Sequence, residues 1–167
     1  MPSCVEHRGI IASVTTVQPD LCWRCQRLDS LSPLALQRIH VARQQVFVVE
    51  QACAFQDADA ADERSWHLTG SAPDGALLAY ARLVEPGVKY AEPSIGRVLT
   101  TASVRGSGLG RVLLARALAQ AQALWPGLAI RISAQLRLER FYGEAGFERV
   151  GSPYLEDDLP HIEMLRR

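Results

Sequence analysis

The segment Arg105-Gly-Ser-Gly-Leu-Gly110 constrains the fold more than any other, because it joins an extended apolar run to a long amphipathic one. Gly106, Gly108 and Gly110 lack Cβ atoms, so the backbone can curl until its N–H groups converge and a bulky anion can come close. Residues 94–100 read as a strand entering the loop. Residues 108–124 read as a helix leaving it, whose free N-terminal donors and positive dipole end serve the same anion. Ser107 and Leu109 complete the loop, and Arg105 and Arg111 flank it with fixed positive charge. The ligand this suits is a phosphate or pyrophosphate. A Rossmann loop would need glycine five positions after Gly106, where Arg111 stands, and a P-loop would need Lys-Ser/Thr after Gly110, where Arg-Val stands.

In the helix after the loop, Leu113, Leu114, Ala117, Leu118, Ala121, Leu124 and Trp125 share one face, which fits packing on a sheet with the N-terminus left free. The whole chain of 167 residues is 48% apolar, enough for one domain with a real core. Eighteen basic residues balance eighteen acidic ones, so no net field favours nucleic acid or anionic lipid. No apolar run approaches the roughly 20 residues that cross a bilayer. A cytoplasmic protein, monomer or homodimer, is expected.

Residues 1–20 show no period and are expected to form a loosely attached extension before a domain at 21–167. Residues 21–28 suggest a strand. Ser32-Pro33 then gives an N-cap and a proline at the first helical position, and a helix should run to residue 49 with Ala35, Ile39, Ala42, Val46 and Val49 on one face. An acidic loop or short irregular helix covers residues 50–64. Residues 66–70 and 76–84 form a hairpin around a Pro-Asp-Gly turn, and further strands are expected at 94–100, 128–133, 147–151 and 161–165, with a short helix at 136–145. The order implies an α/β (α+β) domain with a mixed sheet flanked by helices.

Cys22-Trp-Arg-Cys25 has the spacing of half a zinc site, but no second pair follows, and half-buried thiols on a first strand are the expected reading, with no metal ligand set. Asp57-x-Asp59-x-x-Asp62 is not a calcium loop, since its sixth position is Asp62 rather than Gly and its twelfth is Leu68 rather than Glu.

The Arg-x-x-Gly-x-Gly loop between strand and helix resembles the acetyl-CoA pyrophosphate loop of the GNAT superfamily. Phe141-Tyr-Gly-Glu-Ala-Gly-Phe147 is similar to that family's Phe-Tyr-x-x-x-Gly-Phe segment. The resemblance implies a mostly antiparallel sheet that splays between its fourth and fifth strands to admit the pantetheine arm. It implies acetyl-CoA as co-substrate and a primary amine of a small molecule or peptide as acceptor. Backbone N–H groups of Val98, Leu99 and Thr100 would face the developing oxyanion, and Tyr142 would be the acid near the sulfur. Gln135 stands where the family commonly carries Asn seven positions before that Tyr. Candidate acceptor contacts are Arg43, Phe47, Glu50, His67 and Arg82, and candidate general bases are Glu50, Glu63 and His67.

Arg43-Gln-Gln-Val-Phe-Val-Val-Glu-Gln51, the Asp loop and Pro160-His-Ile-Glu-Met164 together resemble the ElaA-like branch of GNAT proteins. On this reading the Asp loop forms a rim that attracts amines. Two rivals stand beside it. Arg43, Phe47, the Asp loop and Arg82 also resemble acyl-homoserine-lactone synthases, and a GNAT-like domain could bind acyl-CoA without turnover.

Overall fold

Residues 77–84 are apolar but for Arg82, which suits a strand covered on both faces rather than one edge of a wet sheet. In the computed structural model, which describes residues 20–167, this run is the central β3 (Leu77–Val84). Around it lie β1 (Cys22–Arg27), β2 (Ser65–Ser71), β4 (Ser94–Thr100), β5 (Ile130–Gln135), β6 (Glu148–Glu156) and β7 (Leu159–Arg166), in the order β1-β2-β3-β4-β5-β7-β6. Every neighbouring pair is antiparallel except β4 with β5. The extension expected over residues 1–20 lies, apart from Asp20, outside the described residues.

The two-residue alternation of β3 divides the core. Ala79, Ala81 and Leu83 pack with Leu113, Leu114, Ala117 and Ala121 of α2 (Leu109–Leu124), while Tyr80 joins Leu99 with Ile39 and Ala42 of α1 (Pro33–Arg43). Helices therefore cover both faces. Ser32 caps α1 as expected, its Oγ accepting from the Ala35 amide at 3.2 Å with Pro33 in the first turn. No helix among the described residues is long and apolar enough to cross a membrane.

Three expectations need correction. The first helix does not run as one α-helix to residue 49: Gln44–Val49 is a π-helical segment, marked by the Glu50 amide bonding the Gln45 carbonyl at 2.9 Å. The wider turn slips the helical phase, so Val49, expected on the inner face, is 64% exposed. The fifth strand starts at Ile130 rather than residue 128, because a turn through Gly127 (φ 77) follows α2 and leaves Leu128 exposed. The sixth strand continues to Glu156 rather than ending at Gly151. Gly151 (φ 80) sits in a bulge that Ser152-Pro153 conceals in the sequence, and a two-residue turn, Asp157 (φ 50) and Asp158 (φ 61), closes the hairpin. That correction brings the end of β6, at Glu156, beside Ser133 of β5.

Cys22 and Cys25 lie three apart on β1, so they point to opposite faces of the sheet and cannot share a ligand. Burial pushes the Cys25 thiol up to about 11.

Candidate active site

The parallel strands β4 and β5 pair only at Ser94 and Arg131, where the Arg131 amide reaches the Pro93 carbonyl at 3.0 Å. Beyond that point they diverge around a cleft of about 480 Å³. Gly96, Val98 and Thr100 form one wall and Ser133 and Gln135 the other, with Phe47 and Glu50 over the top. The β4 edge facing the cleft follows from its pairing with β3. Thr101 donates its amide to Leu78 across β3 at 3.0 Å, and alternation gives Leu99 the same direction. The amides of Val98 and Thr100 therefore turn to the cleft.

A bulge in β4 shapes this wall. Two residues, Arg97 and Val98, stand opposite Ala81 alone, and Arg97 takes a left-handed φ of 52° unusual for a side chain of its size. Its guanidinium is held by the Asp57 carboxylate (2.7 Å) and carbonyl (3.1 Å) and lies over the rings of Phe47 (5.9 Å) and Phe55 (5.2 Å).

The same Asp57 anchors a buried network. Arg43, with no exposed surface, meets Asp57 at 2.8 Å and Asp62 at 2.7 Å, and Arg82 meets Asp62 at 2.9 Å and Asp59 at 2.6 Å. The Asp loop is thus not an open rim for amines: its carboxylates face Arg43, Arg82 and Arg97 and pin residues 57–62 to the sheet. Nor do Arg43, His67 and Arg82 line the cleft. His67 is buried, its Nε2 against the Asp62 carbonyl (3.1 Å) and its Nδ1 against the Tyr80 hydroxyl (2.8 Å). A carbonyl only accepts, so Nε2 carries the proton and Nδ1 accepts from Tyr80. Burial lowers the His67 pKa, helped by the Arg43 and Arg82 charges, and the ring stays neutral. Glu63 is exposed and away from the cleft. Phe47 and Glu50 do line it, and Glu50 holds Arg105 at 2.6 Å.

The glycine loop opens beside Thr100, whose carbonyl accepts from Arg105 at 3.2 Å. Gly106 (φ 79) and Gly108 (φ 85) have left-handed backbones that disfavour a Cβ, with Gly108 as the N-cap of α2. Gly110 differs. It has an ordinary helical φ, and a Cβ there would meet only the Phe141 ring at 3.9 Å. The amides of Gly106, Gly108 and Gly110 have no protein acceptor among the described residues, whereas Leu109 reaches Ser107 Oγ at 3.4 Å. Three such donors at the start of a 16-residue helix suit an anion. Arg111 extends to Glu144 (2.9 Å) at the surface, an exposed pair that a phosphate could displace.

Tyr142 sits on α3 (Glu139–Gly143), edge-on to Phe141 and Phe147 at 5.0 and 6.0 Å. It belongs to the core yet lines the cleft, and its hydroxyl has no partner among the described residues. Burial pushes its pKa up to about 12, so it keeps its proton at neutral pH. Gln135 donates to Gln51 at 3.0 Å and accepts from Arg137 at 2.9 Å, tying β5 to the segment after the π turn.

Sequence reasoning missed Arg97, Ser133, Glu156 and His161, all of which line the cleft. Ser133 was open to detection, because it lies two residues before Gln135 and strand alternation puts both on one face. Glu156 and His161 depend on the length of the β6–β7 hairpin, which no local pattern revealed.

The model of the acetyltransferase (GNAT) domain family matches residues 43–167. A UPF0039 protein of Synechocystis is 45% identical over 148 residues, covering 89% of this chain and 96% of that protein. Protein ElaA of Escherichia coli is 35% identical over 146 residues, covering 86% and 95%. Among solved structures, an acyl-CoA N-acyltransferase from Pseudomonas aeruginosa superposes with a TM-score of 0.84 at 42% identity, over 88% of this chain and 99% of that one. A CoA-dependent acyl-homoserine lactone synthase, BjaI, is 14% identical with a TM-score of 0.68, over 88% and 84%, a likeness of fold alone. With a splayed seven-stranded sheet, a glycine loop opening α2 and relatives that match almost end to end, the chain belongs to the GNAT acetyltransferase family, in its ElaA-like branch.

Proposed function

We propose that the protein moves the acetyl group of acetyl-CoA to a primary amine of a small molecule or peptide by direct attack in a ternary complex. The observation that carries this reading is the row of open amides at Gly106, Gly108 and Gly110, set at one end of the cleft that Tyr142 lines. The loop amides, with Arg105 and Arg111, take the pyrophosphate. The pantetheine arm lies in the splay along Val98 and Thr100, with Gln135 opposite. An N–H of the Val98 to Thr100 edge meets the thioester oxygen as it gains charge. Tyr142, protonated at neutral pH, donates a hydrogen bond to the sulfur as the C–S bond breaks.

Calorimetric titration tests the donor. Acetyl-CoA should bind in the micromolar range, about −8 kcal/mol, and adenosine nucleotides lacking the pantetheine arm far more weakly. A folded sample that binds no acetyl-CoA would overturn the reading. Tyr142→Phe should lower kcat by about 10²-fold while acetyl-CoA affinity stays within about twofold. Equal losses in both would assign Tyr142 to packing instead.

A further inference from the structure

Pro160-His-Ile-Glu-Met164 marks β7, and its histidine lies in the cleft wall directly across from Gln135 of β5 and Tyr154 of β6. The ring is set by its own strand: His161 Nδ1 lies 2.8 Å from the Leu159 carbonyl. A carbonyl can only accept, so Nδ1 carries the proton, and the neutral ring keeps its lone pair on Nε2. Nothing among the described residues bonds Nε2. His67 offers the contrast, with both nitrogens engaged and its ring buried.

Carboxylates share that stretch of the cleft with the ring. Glu156 lines the same stretch of cleft and is held by Ser133 Oγ at 2.7 Å and the Tyr154 hydroxyl at 3.3 Å. Burial alone would raise the Glu156 pKa, but the Ser133 bond and the charge of Lys89 outweigh it, and the carboxylate stays ionised. Asp157, at the hairpin turn, adds a second carboxylate to the lining. Across the cleft on β4 stands the cation Arg97, which Asp57 occupies, and on the β5 side Arg137 is engaged by Gln135. Lys89 lies behind Glu156 at 3.5 Å. The end of the cleft at the hairpin is therefore acidic and suits an ammonium.

We infer that His161 is the general base that deprotonates the acceptor, through Nε2, with Glu156 steadying the imidazolium. This rests on the acetyl-transfer reading above and supplies the proton route it lacks. One proton of the acceptor's R–NH₃⁺ passes to Nε2, and the freed lone pair forms the C–N bond at the thioester carbon. The C–S bond breaks and the sulfur leaves with its electron pair. The second proton lost from nitrogen as the amide forms ends on the sulfur, and His161 returns the first to solvent.

The test follows thiol release from acetyl-CoA with a panel of primary alkylamines, using the wild type, His161→Gln and His161→Ala. Both variants should bind acetyl-CoA within about twofold of wild type, which also shows that they fold. Their kcat/KM should fall about 10²- to 10³-fold. The wild-type rate should rise with pH through an ionisation that His161→Gln lacks, and added imidazole should restore part of the His161→Ala rate. Variants that keep the wild-type rate and pH profile, or a loss that imidazole does not relieve in a sample that still binds acetyl-CoA, would overturn the assignment to His161. A wild-type protein that fails to bind acetyl-CoA or to release thiol with any amine overturns the acetyl-transfer reading itself, and the assignment with it.

Discussion

Asp62→Ala is expected to cost about 3–5 kcal/mol of stability at neutral pH, because it leaves two buried guanidiniums short of a partner. Asp62 meets Arg43 at 2.7 Å and Arg82 at 2.9 Å, and neither arginine has solvent to turn to, with 0% and 4% exposure. That is a large share of a typical domain's stability of about 5–15 kcal/mol. Urea unfolding followed by circular dichroism reads the loss as a lower midpoint. The double variant Arg43→Met/Asp62→Leu should recover part of it, since removing both charges also removes their desolvation. A loss below about 1 kcal/mol in Asp62→Ala would show that water reaches the guanidiniums and that the network contributes little.

Acid titration gives the same network a second readout. Burial would raise the Asp62 pKa, but the hydrogen bonds and charges of Arg43 and Arg82 overcome it and hold the carboxyl at about 2, below its ordinary 3.8. A group whose folded pKa is depressed stabilises the fold above its unfolded value and loses that contribution as pH falls through the folded one. The gap between wild type and Asp62→Ala should therefore be constant above roughly pH 5 and shrink as pH falls from 3.8 towards 2. Because Asp57 in the same loop holds Arg97 against the β4 bulge, the variant should also weaken acceptor turnover through the cleft wall.

Gly108→Glu should abolish measurable acetyl-CoA binding, a loss of at least about 100-fold by calorimetry. The new carboxylate would sit at the N-cap of α2, beside the amides proposed for the pyrophosphate, and repel it. The left-handed φ of 85° adds backbone strain of about 1–2 kcal/mol to any side chain there. Gly108→Ala separates the two effects, since it carries the strain without the charge. If Ala binds within about tenfold of wild type and Glu does not bind, repulsion at the phosphate site is the cause. Unchanged affinity in a folded Gly108→Glu protein would remove the loop from the coenzyme site.

The loop and α2 were legible because their signal is local. Glycines at Gly106 and Gly108 meet a backbone demand inside a few residues, and the apolar face of α2 repeats within one helix. Ser32-Pro33 was legible for the same reason. The role of the Asp loop was not, because a carboxylate reads alike whether it faces water or a buried arginine. Three aspartates in six residues look like solvated surface until Arg43, Arg82 and Arg97, from two strands and a helix, converge on them. The π turn was hidden as well, since Gln44–Val49 has unbroken helical character and only the added residue per turn sends Val49 outward.

Residue types alone were enough to read the family, the order of elements and the glycine-rich turn into α2, because each rests on patterns that short-range geometry requires. Which polar residues share the cleft follows from long-range strand pairing. Ser133, Glu156 and His161 come from three strands, and they meet because β5 pairs with β7 and the β6–β7 hairpin runs past a bulge to a tight turn. Strand pairing across such distances is fixed by the burial of the whole sheet between its helices, a sum over many weak contacts that no single stretch of chain records.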